Sequence, residues 1–311
     1  MHKLLKLTLK ATFFVFFLLN VVVIFHAYKF THFYEPTEVV QILQQNKTSG
    51  DIAKEILFGI NAVKQKNIAP DSTYKRVVLF TKDSLQLEAW YTKVPQAKGS
   101  VALYHGHGGS KAGILNEGKA FQKLGYNTLL VDFRAHGNSQ GNTCTIGYNE
   151  AEDVQLGYNY LAAQNEKNIV LYGISLGAAA ITKAVADYNI APQKIILEMP
   201  FGKLSDAVAG RLKLMGLPAQ PVSTMLTFWG GTIHGFWAFS HNPIYYAKKI
   251  NCPVLLQKGQ LDNRVSNIET QQIFESITSP KKLNIYTNSA HQSLCVNEPE
   301  KWNAEIANFL K

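Results

Sequence analysis

The sequence predicts an α/β fold, a mainly parallel central sheet with helices on both faces, and three observations carry that expectation. Residues 100–104, 127–133, 168–174, 194–199, 253–258 and 283–287 are short, apolar and widely separated, the pattern of strands buried on both sides. Segments such as 111–124 and 150–164 carry helical patterns between them, which makes repeated βαβ units. With 311 residues, 46% hydrophobic and 17% charged side chains, the chain can bury one large core and is neither disordered nor collagen-like.

The first element in the chain is apolar. Lys3, Lys6 and Lys10 precede residues 11–28, an uncharged run dominated by Phe, Val, Leu and Ile. At about 18 residues it is close to the minimum for a helical bilayer span. No A-x-A-like cleavage site follows and no Cys ends the run, so a retained signal anchor is expected rather than a removed signal peptide. The lysines lie before the span, with Glu35 and Glu38 soon after it, which predicts a single pass with the N-terminus cytoplasmic and the domain on the non-cytoplasmic side.

Residues 1–30 are therefore read as cytoplasmic tail and transmembrane helix, and 31–73 as a helical linker. In that linker Val39, Val40, Ile42 and Leu43, then Ile52, Ile56, Leu57, Ile60 and Val63, recur at helical spacing around Ser49-Gly50, predicting two helices. Residues 74–311 form the α/β domain. Runs 76–81 and 85–92, separated by Lys82-Asp83-Ser84, read as a hairpin that opens the sheet. One interval, about 201–242, is too long for a simple crossover and holds many aromatics among Gly and Pro, so it is predicted to be a cap.

Charge and cysteine content exclude several function classes. The formal charge is +9, but the lysines are scattered and no basic run is interleaved with stacking aromatics, which argues against nucleic acid and favours anionic lipid surfaces. Cys144, Cys252 and Cys295 match neither a disulfide framework nor a zinc pattern, and buried small apolar roles are expected. A Cys252–Cys295 bridge is the alternative in an oxidising compartment. No metal and no cofactor is implied.

The chemistry gathers at strand ends. Gly173-Ile174-Ser175-Leu176-Gly177 directly follows the run 168–174 and precedes an Ala-rich helical segment, 176–188. A serine on a sharp strand-to-helix turn needs small neighbours because other chains pass close to it. Ser175 is the candidate nucleophile, and a serine hydroxyl attacks only when a base takes its proton and donors await the oxyanion. After residues 100–104 comes His105-Gly106-His107-Gly108-Gly109-Ser110, a loop that can present backbone N–H groups to an anion. The N–H groups of His107 and Leu176 are the expected oxyanion hole. It lacks the G-K-[ST] ending of a phosphate-binding loop.

For the acid, Asp262 follows the strand 253–258, with Glu198 the rival at the end of 194–199. For the base, His291 follows the last strand and lies after the acid. Asp132, Arg134 and His136 sit in another strand-end loop and are expected to support it, Asp and Arg commonly pairing there.

Taken together, His105-Gly106-His107-Gly108-Gly109, Asp132-x-Arg134-x-His136-Gly137-x-Ser139, Gly173-x-Ser175-x-Gly177, Asp262-x-x-Val265 and His291 resemble the α/β-hydrolase superfamily from about residue 77 to 310. The likeness is greatest to membrane-linked serine hydrolases of the Bem46-like and prolyl-oligopeptidase-related group. The order Ser175, Asp262, His291 is that of these hydrolases, not of chymotrypsin or subtilisin. Many relatives have Arg-Gly-His-Gly where this chain has Arg134-Ala135-His136-Gly137, which leaves the turn of that loop open.

The resemblance implies the α/β-hydrolase fold and a serine hydrolase that cleaves carboxylic esters or thioesters through an acyl-enzyme. Cap residues Trp229, Phe236 and Trp237 are candidates to line an apolar pocket for small-molecule or lipid-derived acyl substrates. A serine peptidase or amidase is the alternative, since the same triad cleaves amides. A third reading is a non-catalytic membrane-tethered binding protein on a hydrolase scaffold, against which the full triad argues.

Overall fold

The computed structural model describes residues 2–39 and 47–311. It begins with a long helix, α1 (His2–Thr31), long and apolar enough to be a candidate membrane span. Its large apolar side chains up to Leu18 are exposed, whereas Val23 and Ala27 are buried. A short strand, β1 (Phe33–Tyr34), follows and pairs in parallel with β2 (Ala62–Val63), a two-stranded unit that hydropathy spacing did not anticipate. Between them lies α2 (Ser49–Phe58), which begins with a capping box in which Thr48 and Asp51 satisfy each other's backbone N–H groups. It holds Ile52, Ile56 and Leu57 of the predicted linker. The earlier linker helix, at Val40, Ile42 and Leu43, falls outside the described residues.

The central sheet has eight strands in the order β10-β9-β8-β7-β5-β6-β4-β3. β3 (Lys75–Phe80) and β4 (Gln86–Thr92) form the antiparallel hairpin, and β4 pairs antiparallel with β6 (Tyr126–Val131). From β6 onward all pairing is parallel, through β5 (Gly99–Tyr104), β7 (Ile169–Ile174), β8 (Lys194–Glu198), β9 (Val254–Gly259) and β10 (Lys281–Tyr286). β5, β6, β8 and β9 are buried along nearly their whole length, as their unbroken apolar runs require.

Helices cover both faces. On one lie α3 (Leu115–Lys123) and the C-terminal α11 (Pro299–Leu310), whose Phe121, Trp302 and Ile306 pack on Val101, Leu103 and Tyr172. On the other, α4 (Glu150–Ala163) and α5 (Leu176–Asp187) pack on Ala102, Leu171 and Ile195. A buried Trp such as Trp302 contributes about 3–5 kcal/mol relative to Ala, so this C-terminal helix closes the core.

Between β8 and β9 the chain leaves the sheet for α6 (Leu204–Leu214) and α7 (Val222–Ile233) and returns through α8 (Pro243–Ala247). Gly210 of α6 presses on the loop that carries Asp262: a Cβ there would stand 2.4 Å from the Arg264 carbonyl oxygen. α7 meets the N-terminal helix, where Trp229 Nε1 donates to Asn20 Oδ1 at 3.0 Å. α9 (Asn267–Ser276) and a single turn, α10 (Leu294–Asn297), complete the order. Cys144, Cys252 and Cys295 are free thiols, so the alternative of a Cys252–Cys295 bridge is not realised.

Candidate active site

Ser175 stands between β7 and α5 with φ 53° and ψ −109°. A non-glycine residue in such a region costs about 1–3 kcal/mol, which the surrounding structure must offset. Part of the restraint is visible: the Ser175 N–H donates to the Glu198 carbonyl at 2.7 Å, and its own carbonyl accepts from Ala179 N–H at 3.0 Å. The flanking glycines make the turn possible. A Cβ on Gly173 would lie 2.5 Å from the Gly177 carbonyl carbon, and one on Gly177 would lie 2.4 Å from the Tyr104 carbonyl oxygen.

Asp262 and His291 converge on this serine from the ends of β9 and β10. His291 Nε2 is 3.0 Å from Ser175 Oγ and accepts its hydrogen, while Nδ1–H donates to Asp262 Oδ2 at 2.8 Å. The other carboxylate oxygen accepts from the N–H groups of Arg264 at 2.8 Å and Val265 at 3.0 Å. Burial pushes the Asp262 carboxyl up, but the His291 hydrogen bond and charge, with the two loop N–H groups, outweigh it and hold the pKa below the ordinary carboxylate value. The carboxylate stays ionised and orients His291 with Nε2 as acceptor. Ser175, Asp262 and His291, far apart in sequence, are thus joined in one relay.

The glycine-rich loop lies beside the elbow. A Cβ on Gly106 would be 3.6 Å from Ser175 Cβ, so the backbone of this loop runs against the nucleophile. Among the described residues neither His107 N–H nor Leu176 N–H donates to a protein acceptor. Neutral imidazoles brace the loop. Burial lowers the His105 pKa to about 4 and that of His136 to about 3. Each ring donates from Nδ1 to a carbonyl, Gly106 and Arg134 respectively, and accepts at Nε2 from Phe133 N–H and Gly108 N–H. Spacing hid this role of His136, because its acceptor function depends on a loop 28 residues away in sequence.

One expectation needs correction. Asp132 and Arg134 do not pair with each other. Asp132 takes the buried Lys111 ammonium at 2.5 Å, and Arg134 binds Asp153 at 2.6 Å and Glu152 at 2.8 Å on α4. The turn left open by Ala135 forms nonetheless, with Ala135 at φ 63° and Gly137 at φ 51°, and only Gly fits the latter because a Cβ would stand 2.1 Å from Asp132 Oδ2. Glu198, the rival acid, makes no contact with His291. It lies buried on the other side of the elbow, bonded to Trp302 Nε1 at 2.5 Å and Gln257 Nε2 at 2.9 Å. Desolvation raises its pKa to about 8, which keeps it protonated near neutrality.

Of the three cap aromatics, Phe236 lines a cavity formed with α1, α6 and α7. Trp229 is bonded to Asn20, and Trp237 is 61% exposed. The rest of this cavity's wall comes largely from α1, α6 and α7, which spacing within the cap could not reveal. Among the described residues no group of three or more His, Cys, Asp or Glu side chains is arranged to hold a metal ion.

Comparison with known proteins agrees with this architecture. The family model described as Hydrolase_4, serine aminopeptidase S33, matches residues 95–243. Lysophosphatidylserine lipase ABHD12 of Danio rerio is 27% identical over 208 residues, covering 63% of this chain and 52% of that protein. Protein bem46 of Schizosaccharomyces pombe is 24% identical over 249 residues, covering 76% of each. The chain spans 64% and 52% of the length of the first curated relatives it matches. Among solved structures, the Pyrococcus furiosus esterase PF2001 superposes with a TM-score of 0.65 at 24% identity, covering 79% of this chain and 94% of that one, a likeness of fold.

Proposed function

Because this chain belongs to the α/β-hydrolase superfamily, we propose that it is a membrane-anchored serine hydrolase that cleaves carboxylic esters or thioesters through an acyl-enzyme. The observation that carries this reading is the continuous hydrogen-bonded relay from Asp262 through His291 to Ser175 Oγ. In it, Ser175 Oγ attacks the acyl carbonyl as His291 Nε2 takes its proton. Asp262 stabilises the imidazolium, and His291 returns the proton to the departing alcohol or thiol. Water then repeats the sequence on the acyl-enzyme. The N–H groups of His107 and Leu176 receive the developing oxyanion, a contribution of about 3–4 kcal/mol per donor in comparable sites.

An ester substrate with an apolar acyl group is supported by the apolar cavity between α1 and the cap helices and by the lipase and esterase names among the relatives. One observation favours a second reading, amide cleavage: the matching family model is described as a serine aminopeptidase. The apolar helix α1 serves as the anchor, with Lys3, Lys6 and Lys10 on the cytoplasmic side and the hydrolase domain outside.

A substrate panel tests the reaction class. Purified protein given p-nitrophenyl esters, acyl thioesters and aminoacyl and peptidyl amides is expected to turn over the esters faster. Turnover of amides alone would replace the esterase reading with the peptidase one. A reporter fused after Lys311 and active only in the cytoplasm would reverse the orientation.

A further inference from the structure

The described residues line a half-open cavity of about 270 Å³ between α1 and the cap helices α6 and α7. Leu19, Val23 and Ala27 of α1 face Val208, Leu226 and Gly230 of the cap across it. An apolar cavity of about 150 Å³ holds benzene, so this one has room for on the order of ten carbons. Its wall is shared by two parts that a simple tether would keep separate.

The length of α1 places this cavity at the depth of the bilayer. A helix rises about 1.5 Å per residue and the hydrocarbon core is about 30 Å thick, so a span that starts just after Lys10 ends near Phe30. The stretch before Leu19 is exposed and too short to cross alone. The rest of the span is the very segment packed against the cap, so the cap must enter the membrane with it. Surface composition agrees: Leu214, Met215, Leu217, Phe228 and Trp237 of the cap region are exposed. Asn20, polar in the middle of the apolar run, has its carboxamide oxygen bonded to Trp229 of α7 at 3.0 Å, a pairing expected of a polar group at membrane depth.

The inner end of the cavity meets the catalytic machinery. Phe30, in the last turn of α1, lines the cavity, and its ring stacks on His107 of the oxyanion loop with centroids 4.8 Å apart. Arg211 covers the ring at 4.7 Å. Ser175 and His291 are not in the lining, and Phe30 is a lining residue that touches the glycine-rich loop beside Ser175.

We propose that this cavity is the acyl-chain site of the enzyme, that the anchor helix α1 is one of its walls, and that substrate passes laterally from the bilayer past Phe30 to Ser175. This rests on the serine-hydrolase reading above and adds where the acyl chain lies. The anchor is then part of the substrate site as well as a tether.

Two cavity-filling variants of the full chain, in lipid nanodiscs, test it from opposite walls. Nothing lies within 4 Å of a Cβ built on Gly230, so Gly230→Leu fills the cavity from the cap without strain, and Val22→Trp fills it from α1. Fluorophosphonate labelling normalises each variant for active protein. The ratio of kcat/KM for p-nitrophenyl dodecanoate over acetate is expected to fall about tenfold or more in both, the loss of roughly two buried methylenes. A wild-type ratio in both variants overturns the cavity as acyl site, and a wild-type ratio in Val22→Trp alone overturns the role of the anchor. Binding of a fluorescent fatty acid to Ser175→Ala, abolished by adding Gly230→Leu, supports the site independently of turnover. A wild type that neither labels nor hydrolyses any ester would instead overturn the hydrolase reading.

Discussion

Substituting Gly177 by Ala probes how closely the elbow must approach the neighbouring strand. The added Cβ would stand 2.4 Å from the Tyr104 carbonyl oxygen and 2.9 Å from that of His105, where ordinary contact begins at 3.4 Å. Both obstacles are backbone, with no flexible side chain to swing aside. The elbow and the end of β5 must therefore separate by about 1 Å, the scale of misplacement that costs on the order of 10²-fold in rate. Overpacking of this kind also costs about 1–3 kcal/mol of stability. Because His105 leads directly into the glycine-rich loop, the same displacement moves the His107 N–H relative to Ser175. The assay is the rate of fluorophosphonate labelling, read beside thermal unfolding, with Gly113→Ala as the control because nothing lies within 4 Å of its Cβ. Labelling of Gly177→Ala at the wild-type rate would refute the reasoning.

Further outcomes follow from the same geometry. Asp262→Asn removes the charge that orients His291, and ester turnover is expected to drop by about 10⁴-fold while the fold persists; steady-state kinetics and circular dichroism check this. Lys111→Met leaves Asp132 buried without its cation, both side chains being fully inaccessible, and is expected to cost about 3–5 kcal/mol by urea denaturation, with partial recovery in Lys111→Met/Asp132→Leu. Glu198→Gln is expected to keep fluorophosphonate labelling, since Glu198 bonds to Trp302 and Gln257 and not to His291. It also carries a pH signature. Its folded pKa of about 8 stands above the ordinary 4.5, so the native state holds a proton that the unfolded chain releases; its stabilisation is present below 4.5 and lost as pH rises through about 8. Melting temperatures of Glu198→Gln should therefore decline less across that range than those of the wild type.

Much of this was legible in the sequence because the parallel strands are buried on both faces and read as unbroken apolar runs. The run 168–174 is β7 (Ile169–Ile174), and 253–258 is β9 (Val254–Gly259). Motif order at the strand ends was enough to select Ser175, Asp262 and His291, which the fold brings within hydrogen-bond distance. Pairings set by tertiary packing were not legible. Asp132 with Lys111 and Arg134 with Asp153 are contacts between separate elements, and two charges one residue apart in sequence suggested the wrong couple. The bond between Asn20 and Trp229 joins residues 209 apart, and hydropathy registers Asn20 only as an interruption of an apolar run. That interruption is a signal that α1 has a partner in α7.

The proposed hydrolase activity depends most directly on Ser175 as its nucleophile. Labelling of wild type and Ser175→Ala with a fluorophosphonate probe, with the modified peptide located by mass spectrometry, tests it in one measurement. The prediction is a single adduct on Ser175 in the wild type and none in the variant. Equal labelling of both proteins, or an adduct on another residue, would contradict it.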